Sequence, residues 1–598
     1  MPGGLLNLIS YGNQNVILNG NPSKSFFKCA YSKYTNFGLQ KFRLDFDGQR
    51  HLRMNETSTF KFKVPRYADL LMDTYLVVQL PTIWSPILPP TDSNNGDPYW
   101  DINSIWRPYE FKWIKNLGTQ MIERVKFTIG GVTIQDYTGQ YLYNLVERDF
   151  NNVKKDLYYK MTGNVSELND PANAFQRNGY YPNVYPTNLN SYSTLGPEPS
   201  IRERKLYIPL NIWFTMASKM ALPLVSLQYQ ELQIEIDIRP VSELFVVRDV
   251  ETLVLPSANN AILQPGWDNI PNGSATVGKH IKPNFNNTTF QFYRFLQPPP
   301  WNLDTYTLTE QSWTDKRTNW AADVHIIATY AFLSDDEVRT FASREQNYLI
   351  KESYTTKFNN VVGSSRIDLD SLGMVSSWMW FFQRNDVNIR NEWSNYTNWD
   401  YKDIQPIPLL DPSGVFDIVD GLGTPNTPSI SVDSYNINPA NNPIGLNTDY
   451  KITGNFSPDN TKNIMQTWGL LLDGKYRENL QDVGVLDYIE KYIRTSGNGP
   501  DGLYCYNFCL HTNPFDFQPS GAINVSKFND IQFEITTFYP PLDPSAQVLT
   551  ICDASGNIIG VNKPSWRIYD YTYDLTVLEE RYNILTFING NAGLAYAR

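Results

Sequence analysis

The chain is poor in the residues that carry most protein chemistry. Four cysteines and four histidines among 598 residues cannot staple a fold of this size with disulfides, and no second Cys or His pair accompanies Cys505 and Cys509 to complete a zinc site. Those two cysteines fall on one face of an expected strand and read as small buried hydrophobes. Basic charge is short as well: 50 Lys and Arg face 61 Asp and Glu, for a net charge of -11. Nothing equips such a chain to neutralise phosphates, so direct nucleic-acid binding is not expected. No stretch approaches the ~18 apolar residues of a spanning helix, and MPGGLLNLIS lacks the basic start and apolar run of a secretory signal. The expectation is synthesis in a cytosol-like compartment, with the sequons at Asn286, Asn395 and Asn524 left unmodified.

What is abundant points to sheets. Aromatics make up 14% of the chain, and 39 Pro with 35 Gly suit many strands separated by turns. One plan occurs twice. VKFTIGGVTIQDYTGQYLYNLVE (Val125 to Glu147) reads as strand, Gly130-Gly131 turn, strand and short helix, and WGLLLDGKYRENLQDVGVLDYIE (Trp468 to Glu490) reads the same way around Asp473-Gly474. Both dipeptides supply the positive φ that a two-residue hairpin turn needs. The match continues in order: Leu206 to Phe214 answers Leu503 to Leu510, and Tyr229 to Ile238 answers Phe528 to Thr537. The last pair alternates with period two through Leu232, Ile234, Ile236 and Ile238, and through Ile531, Phe533 and Ile535, as half-buried strands do. Two consecutive β domains of similar topology follow.

Further strands are expected at Phe37 to Phe46, Thr59 to Val64 and Thr74 to Leu80, after a Gly/Asn-rich N-terminal arm. The resulting division is an arm over 1–28, a first β domain over 29–250, an irregular interdomain segment over 251–319 and a second domain over 320–598 that opens with VHIIATYAFL near Val324. Long segments rich in Pro, Asn and aromatics, at Pro81 to Tyr109, Asn151 to Ser200 and Asn385 to Asp449, read as packed surface loops.

A search for catalysis nominates no catalytic, cofactor-binding or metal-binding residue. His51, His280, His325 and His511 are scattered without a nucleophile context, and neither GxSxG nor a GxxxxGK phosphate loop occurs. SGNGPDG (Ser496 to Gly502) reads as a plain turn. Asp335, Asp336 and Glu337 read as the first turn of a helix capped by Ser334, where acids meet the positive end of the dipole. The aromatic cluster WSNYTNWD (Trp393 to Asp400) favours loop or subunit packing, with ligand binding the lesser reading.

At this point a family resemblance is visible. GNPSKSFFKCAYSKYTNF (Gly20 to Phe37) resembles the N-terminal pattern of major capsid proteins from nucleocytoplasmic large DNA viruses. LYIPLNIWF with ALPLVSLQYQELQIEI (Leu206 to Ile236), FLSDDEVRTFASREQNYLI (Phe332 to Ile350), QPSGAINVSKF (Gln518 to Phe528) and RYNILTFINGNAGLAYAR (Arg581 to Arg598) follow in family order.

The resemblance implies an all-β double jelly roll, two tandem eight-stranded sandwiches with long loops and short helices. It implies a non-enzymatic homotrimer forming a pseudo-hexagonal capsomer of an icosahedral shell, without cofactors. The implied partners are neighbouring capsomers, minor capsid or cement proteins, a penton protein and inner virion membrane proteins. The implied location is the virion, after synthesis in the host cytoplasm. The competing readings are a glycan-binding β-sandwich attachment protein and a β-sandwich hydrolase.

Overall fold

The computed structural model describes residues 2–48, 51–88, 107–177, 181–182, 199–248, 280–286, 288–298, 313–317, 320–404, 461–542 and 567–596, with short strand pieces at 416–419, 425–426, 450–452, 549–552 and 558–562. Sixteen principal strands carry the fold. The first eight are β1 (Gly38–Leu44), β2 (Ser58–Lys63), β3 (Leu70–Leu80), β4 (Ile122–Ile129), β5 (Val132–Thr138), β6 (Arg204–Pro209), β7 (Leu232–Ile238) and β8 (His325–Phe332). The second eight are β9 (Gln346–Phe358), β10 (Ser364–Asp368), β11 (Met374–Arg384), β12 (Met465–Leu472), β13 (Lys475–Asp482), β14 (Leu503–Asn507), β15 (Ile531–Thr537) and β16 (Tyr573–Ile588). The principal helices are α1 (Gly3–Ile9), α2 (Gly139–Asp149), α3 (Asn152–Thr162), α4 (Asp335–Ser343) and α5 (Glu490–Arg494), the last preceded by a π-helical turn over Val485–Ile489.

Hydrogen bonding sorts the strands into two antiparallel sandwiches. The first unit pairs β1-β8-β3-β6 and β2-β7-β4-β5; the second pairs β9-β16-β11-β14 and β10-β15-β12-β13. Counted from the start of each unit, both read 1-8-3-6 and 2-7-4-5, which is the jelly-roll order. The matched hairpins are present: Gly130 and Gly131 have φ of 57° and 83°, and Asp473 and Gly474 have φ of 47° and 74°. Strands β7 and β15 alternate strictly between buried and half-buried residues.

Pairing also corrects the division read from the sequence. VHIIATYAFL does not open the second sandwich. It is β8, the eighth strand of the first, hydrogen-bonded between β1 and β3. We therefore draw the boundary between Phe332 and Gln346, along the connecting helix α4. Part of the expected interdomain segment belongs to the first unit too, since Phe290, Phe292 and Phe295 join its core. Residues 251–279, 299–312 and 405–415 of the expected loops lie outside the described residues.

Two local expectations also change. Asn151 to Ser200 does not start as a loop: Asn151 Oδ1 accepts from Lys154 N at 2.9 Å, capping α3, and Gly163 at φ 80° ends it. Ser334 stands at the cap position of α4, but its hydroxyl donates to Glu337 Oε2 at 3.5 Å rather than accepting from the backbone.

Candidate assembly surface between the two units

Helix α2 is buried over its whole length, polar residues included. A helix between two sandwiches has no solvent face, so each polar side chain needs a partner, and several find it in the other unit. Gln140 Nε2 donates to Gln383 Oε1 at 3.0 Å, and Asn144 Nδ2 donates to the Tyr396 hydroxyl at 3.1 Å. The Tyr141 hydroxyl donates to Glu580 Oε1 at 3.0 Å.

The centre of this surface is ionic. Arg148, with no solvent exposure, bonds Asp149 through Nε and Nη2 at 3.0 and 2.7 Å, reaches both oxygens of Glu580 at 3.0 Å, and donates to Ser377 Oγ at 3.3 Å. Lys351 Nζ lies 3.6 Å from Glu580, so two cations balance two anions. Burial disfavours the Glu580 carboxylate, but the charges of Arg148 and Lys351 outweigh it and hold its pKa down at about 2. Burial and the Glu580 charge push Asp149 up instead, so the two carboxylates titrate as a split pair.

Strand β11 shows why its sequence, VSSWMWFFQR, has no polar alternation. Trp378, Trp380 and Phe382 fill the second sandwich, while Met379 and Phe381 turn outward into the core of the first. Leu503, Cys505 and Leu578 share that outward face, so one apolar cluster crosses from unit to unit. Both expected cysteines are buried, although Cys509 lies beyond the end of β14, and burial pushes the Cys505 thiol up to about 11. Sheet edges meet as well: Ser353 Oγ on β9 donates to the Asp136 carbonyl on β5 at 3.4 Å.

WSNYTNWD belongs to this surface. Tyr396 is buried and stacks on Phe381 with ring centroids 4.0 Å apart, and Trp393 Nε1 donates to the Glu243 carbonyl at 3.0 Å beneath the Arg239 guanidinium. These rings are occupied by packing between units, which favours the packing reading over glycan stacking. Asn395, the acceptor of one sequon, is buried. SGNGPDG is more than a plain turn: Gly497 N and Gly499 N donate to the Arg148 and Glu147 carbonyls, each at 2.8 Å, so the loop closes the end of α2. Sequence reading missed this surface because the partners of α2 lie hundreds of residues away; only its run of polar residues among aromatics hinted at burial.

The histidines stay apart, with His51 exposed, His280 against Glu110 at 3.2 Å and His325 beside Asp323. Among the described residues no group of three or more His, Cys, Asp or Glu is placed to hold a metal, and no helix is long and apolar enough to cross a membrane.

Comparisons with known proteins agree with this geometry. A family model described as the major capsid protein N-terminus matches residues 25–264, and one described as the large eukaryotic DNA virus major capsid protein matches 337–593. The chain is 24% identical to the major capsid protein of Phaeocystis pouchetii virus and 25% identical to that of Chrysochromulina ericina virus, each alignment covering 100% of both chains. In fold it is similar to the Faustovirus major capsid protein, with a TM-score of 0.56 at 13% identity over 94% of this chain and 93% of that one. A chain of the PBCV-1 virus capsid gives 0.54 at 16% identity, over 96% and 100%. With both sandwiches matched by the family's models and relatives aligned end to end, the chain belongs to the major capsid proteins of large eukaryotic DNA viruses, structural proteins of the viral capsid.

Proposed function

We propose that this capsid protein works as a homotrimer, in which six jelly rolls form a pseudo-hexagonal capsomer that tiles an icosahedral shell. The carrying observation is an asymmetry between equivalent helices. In the first unit α2, which follows the fifth strand, is buried against the sheet β9-β16-β11-β14. The helical segment that follows the fifth strand of the second unit leaves Tyr488, Ile489, Tyr492 and Ile493 open, Tyr492 at 90% exposure.

Among the described residues, the second helical segment rests on its own unit through Leu486 and, unlike the first helix, buries no outer face against the other sandwich. A second copy offering its β1-β8-β3-β6 sheet, with Tyr207 exposed on its outer face, supplies a sandwich for that face. Repeating that step closes a ring after three chains, because each chain turns through two near-equivalent corners. Such contacts are obligate and bury on the order of 2,000 Å² or more each, with the apolar helix at the centre.

The N-terminal arm supports a role in the shell beyond the trimer. Phe26, Phe27, Tyr31 and Tyr34 are almost fully exposed, Phe27 at 100%, and an apolar segment of this kind fits packing against another shell component. In this reading the partners are neighbouring capsomers, minor capsid or cement proteins, the penton protein and inner-membrane proteins, and the chain is made in the host cytoplasm. Sedimentation of the purified protein tests the trimer. The expected species has three times the 68.8 kDa chain mass and becomes monomeric in Tyr492→Asp; a wild-type monomer at micromolar concentration would reject the proposal.

A further inference from the structure

Where the SGNGPDG loop meets α2, Lys155, Glu147 and Asn498 bring an amine, a carboxylate and an amide together. Lys155, on α3, is 3% exposed and turns its Nζ back toward the end of α2. There it donates to the Glu147 carbonyl at 2.6 Å and to Asn498 Oδ1, and lies 3.4 Å from Glu147 Oε2. The Tyr159 hydroxyl donates to the other Glu147 oxygen, Oε1, which orients the carboxylate. Asn498 lies between Gly497 and Gly499, whose backbone bonds to α2 fix the loop backbone beside Lys155. The apolar cluster of Val146, Phe150 and Tyr158 spans these two helices and the turn between them.

From this juxtaposition we infer that Lys155 and Asn498 form an intramolecular isopeptide bond, with Glu147 as proton carrier. The reaction needs an unprotonated amine, an amide carbon within reach and an acid-base group beside both. Burial lowers the Lys155 pKa despite the opposing Glu147 charge, enlarging the neutral fraction. The amine attacks Cγ of Asn498, forming the Nζ–Cγ bond. Glu147 takes one proton from the attacking nitrogen and delivers it to the departing Nδ2, and the Cγ–Nδ2 bond breaks. Ammonia leaves, and no redox partner is needed.

An open cleft of about 440 Å³, lined by Glu147, Tyr159 and Gly499 among others, reaches the proton carrier, and Asn498 is itself exposed, so ammonia leaves to solvent. The product joins residues 343 apart and ties the first jelly roll to the second by a covalent bond. This inference concerns one chain and does not depend on the trimer.

Mass spectrometry of the full-length protein from assembled particles tests it directly. The expected result is a denatured chain lighter by one ammonia, about 17 Da, and a branched tryptic peptide joining the Lys155 segment to the Asn498 segment. Lys155→Arg keeps the positive charge and donors but has no nucleophile, because guanidinium stays protonated; it should show the full chain mass and linear peptides. Asn498→Ala, on the exposed loop, should do the same if the arginine variant fails to fold. Glu147→Gln should form the bond about 100-fold more slowly. An unmodified wild-type mass with linear peptides overturns the inference, as does an Asn498 found only as deamidated linear peptide.

Discussion

Replacing Arg148 by Met removes the single cation that bridges Asp149 and Glu580. The methionine stem follows the path of the arginine methylenes, so little cavity is created and the loss is mainly electrostatic. Four guanidinium bonds to carboxylate oxygens disappear, and only Lys351, 3.6 Å from Glu580, still faces two buried anions. Breaking a buried pair by deleting one partner costs about 3–5 kcal/mol, or roughly two to three and a half decades in the folding equilibrium at about 1.4 kcal/mol per decade. Urea unfolding at pH 7, followed by tryptophan fluorescence, reads the loss as a displaced midpoint, with the interface opening before either sandwich melts. Adding Glu580→Gln leaves Asp149 balanced by Lys351 and should recover at least half of the loss. A shift no larger than the ~1 kcal/mol of an exposed pair would refute the claim that this cluster is dry and holds the two units together.

The same cluster sets an acid dependence. Because the Glu580 pKa is depressed to about 2 when folded, against an ordinary value of 4.5, its contribution is complete above pH 4.5 and disappears as pH falls toward 2; thermal melts across that window should flatten in Arg148→Met. Asp149 runs the other way, its raised pKa withdrawing stability as pH climbs above 3.8. Tyr396→Phe strands the Asn144 amide and should cost about 1–3 kcal/mol by urea titration. Gly502→Ala places a Cβ 2.2 Å from the Tyr396 carbonyl at a residue with φ of 80°, so it should lower the yield of folded protein, whereas Gly131→Ala, with open space around it, should lower it less. Deleting residues 1–28 should reduce particle yield while leaving the melting of the trimer unchanged; unchanged particle yield would contradict a shell role for the arm.

Local chemistry made part of this architecture readable. Gly130-Gly131 and Asp473-Gly474 announce their turns because few other dipeptides tolerate two positive φ values, and β7 and β15 announce their faces through period-two alternation. Membership of a strand in a sheet is a different kind of fact. Strand β8 looks the same whether it opens one sandwich or closes another; what decides is its pairing with β1, nearly three hundred residues earlier. The interdomain surface was hidden for the same reason. Arg148 and Glu580 are 432 residues apart, and neither carries a local pattern that names the other. WSNYTNWD showed only that its aromatics need partners; the fold supplies Phe381 and Asn144.

In the proposed trimer, two like sandwiches per chain become six near-equivalent corners. Electron cryomicroscopy of the purified capsomer tests it most directly. The expected particle is threefold with a pseudo-hexagonal outline, in which Tyr488, Ile489, Tyr492 and Ile493 of each chain lie against the β1-β8-β3-β6 sheet of the next. A trimer in which that helix faces solvent, or a particle of any other symmetry, would contradict it.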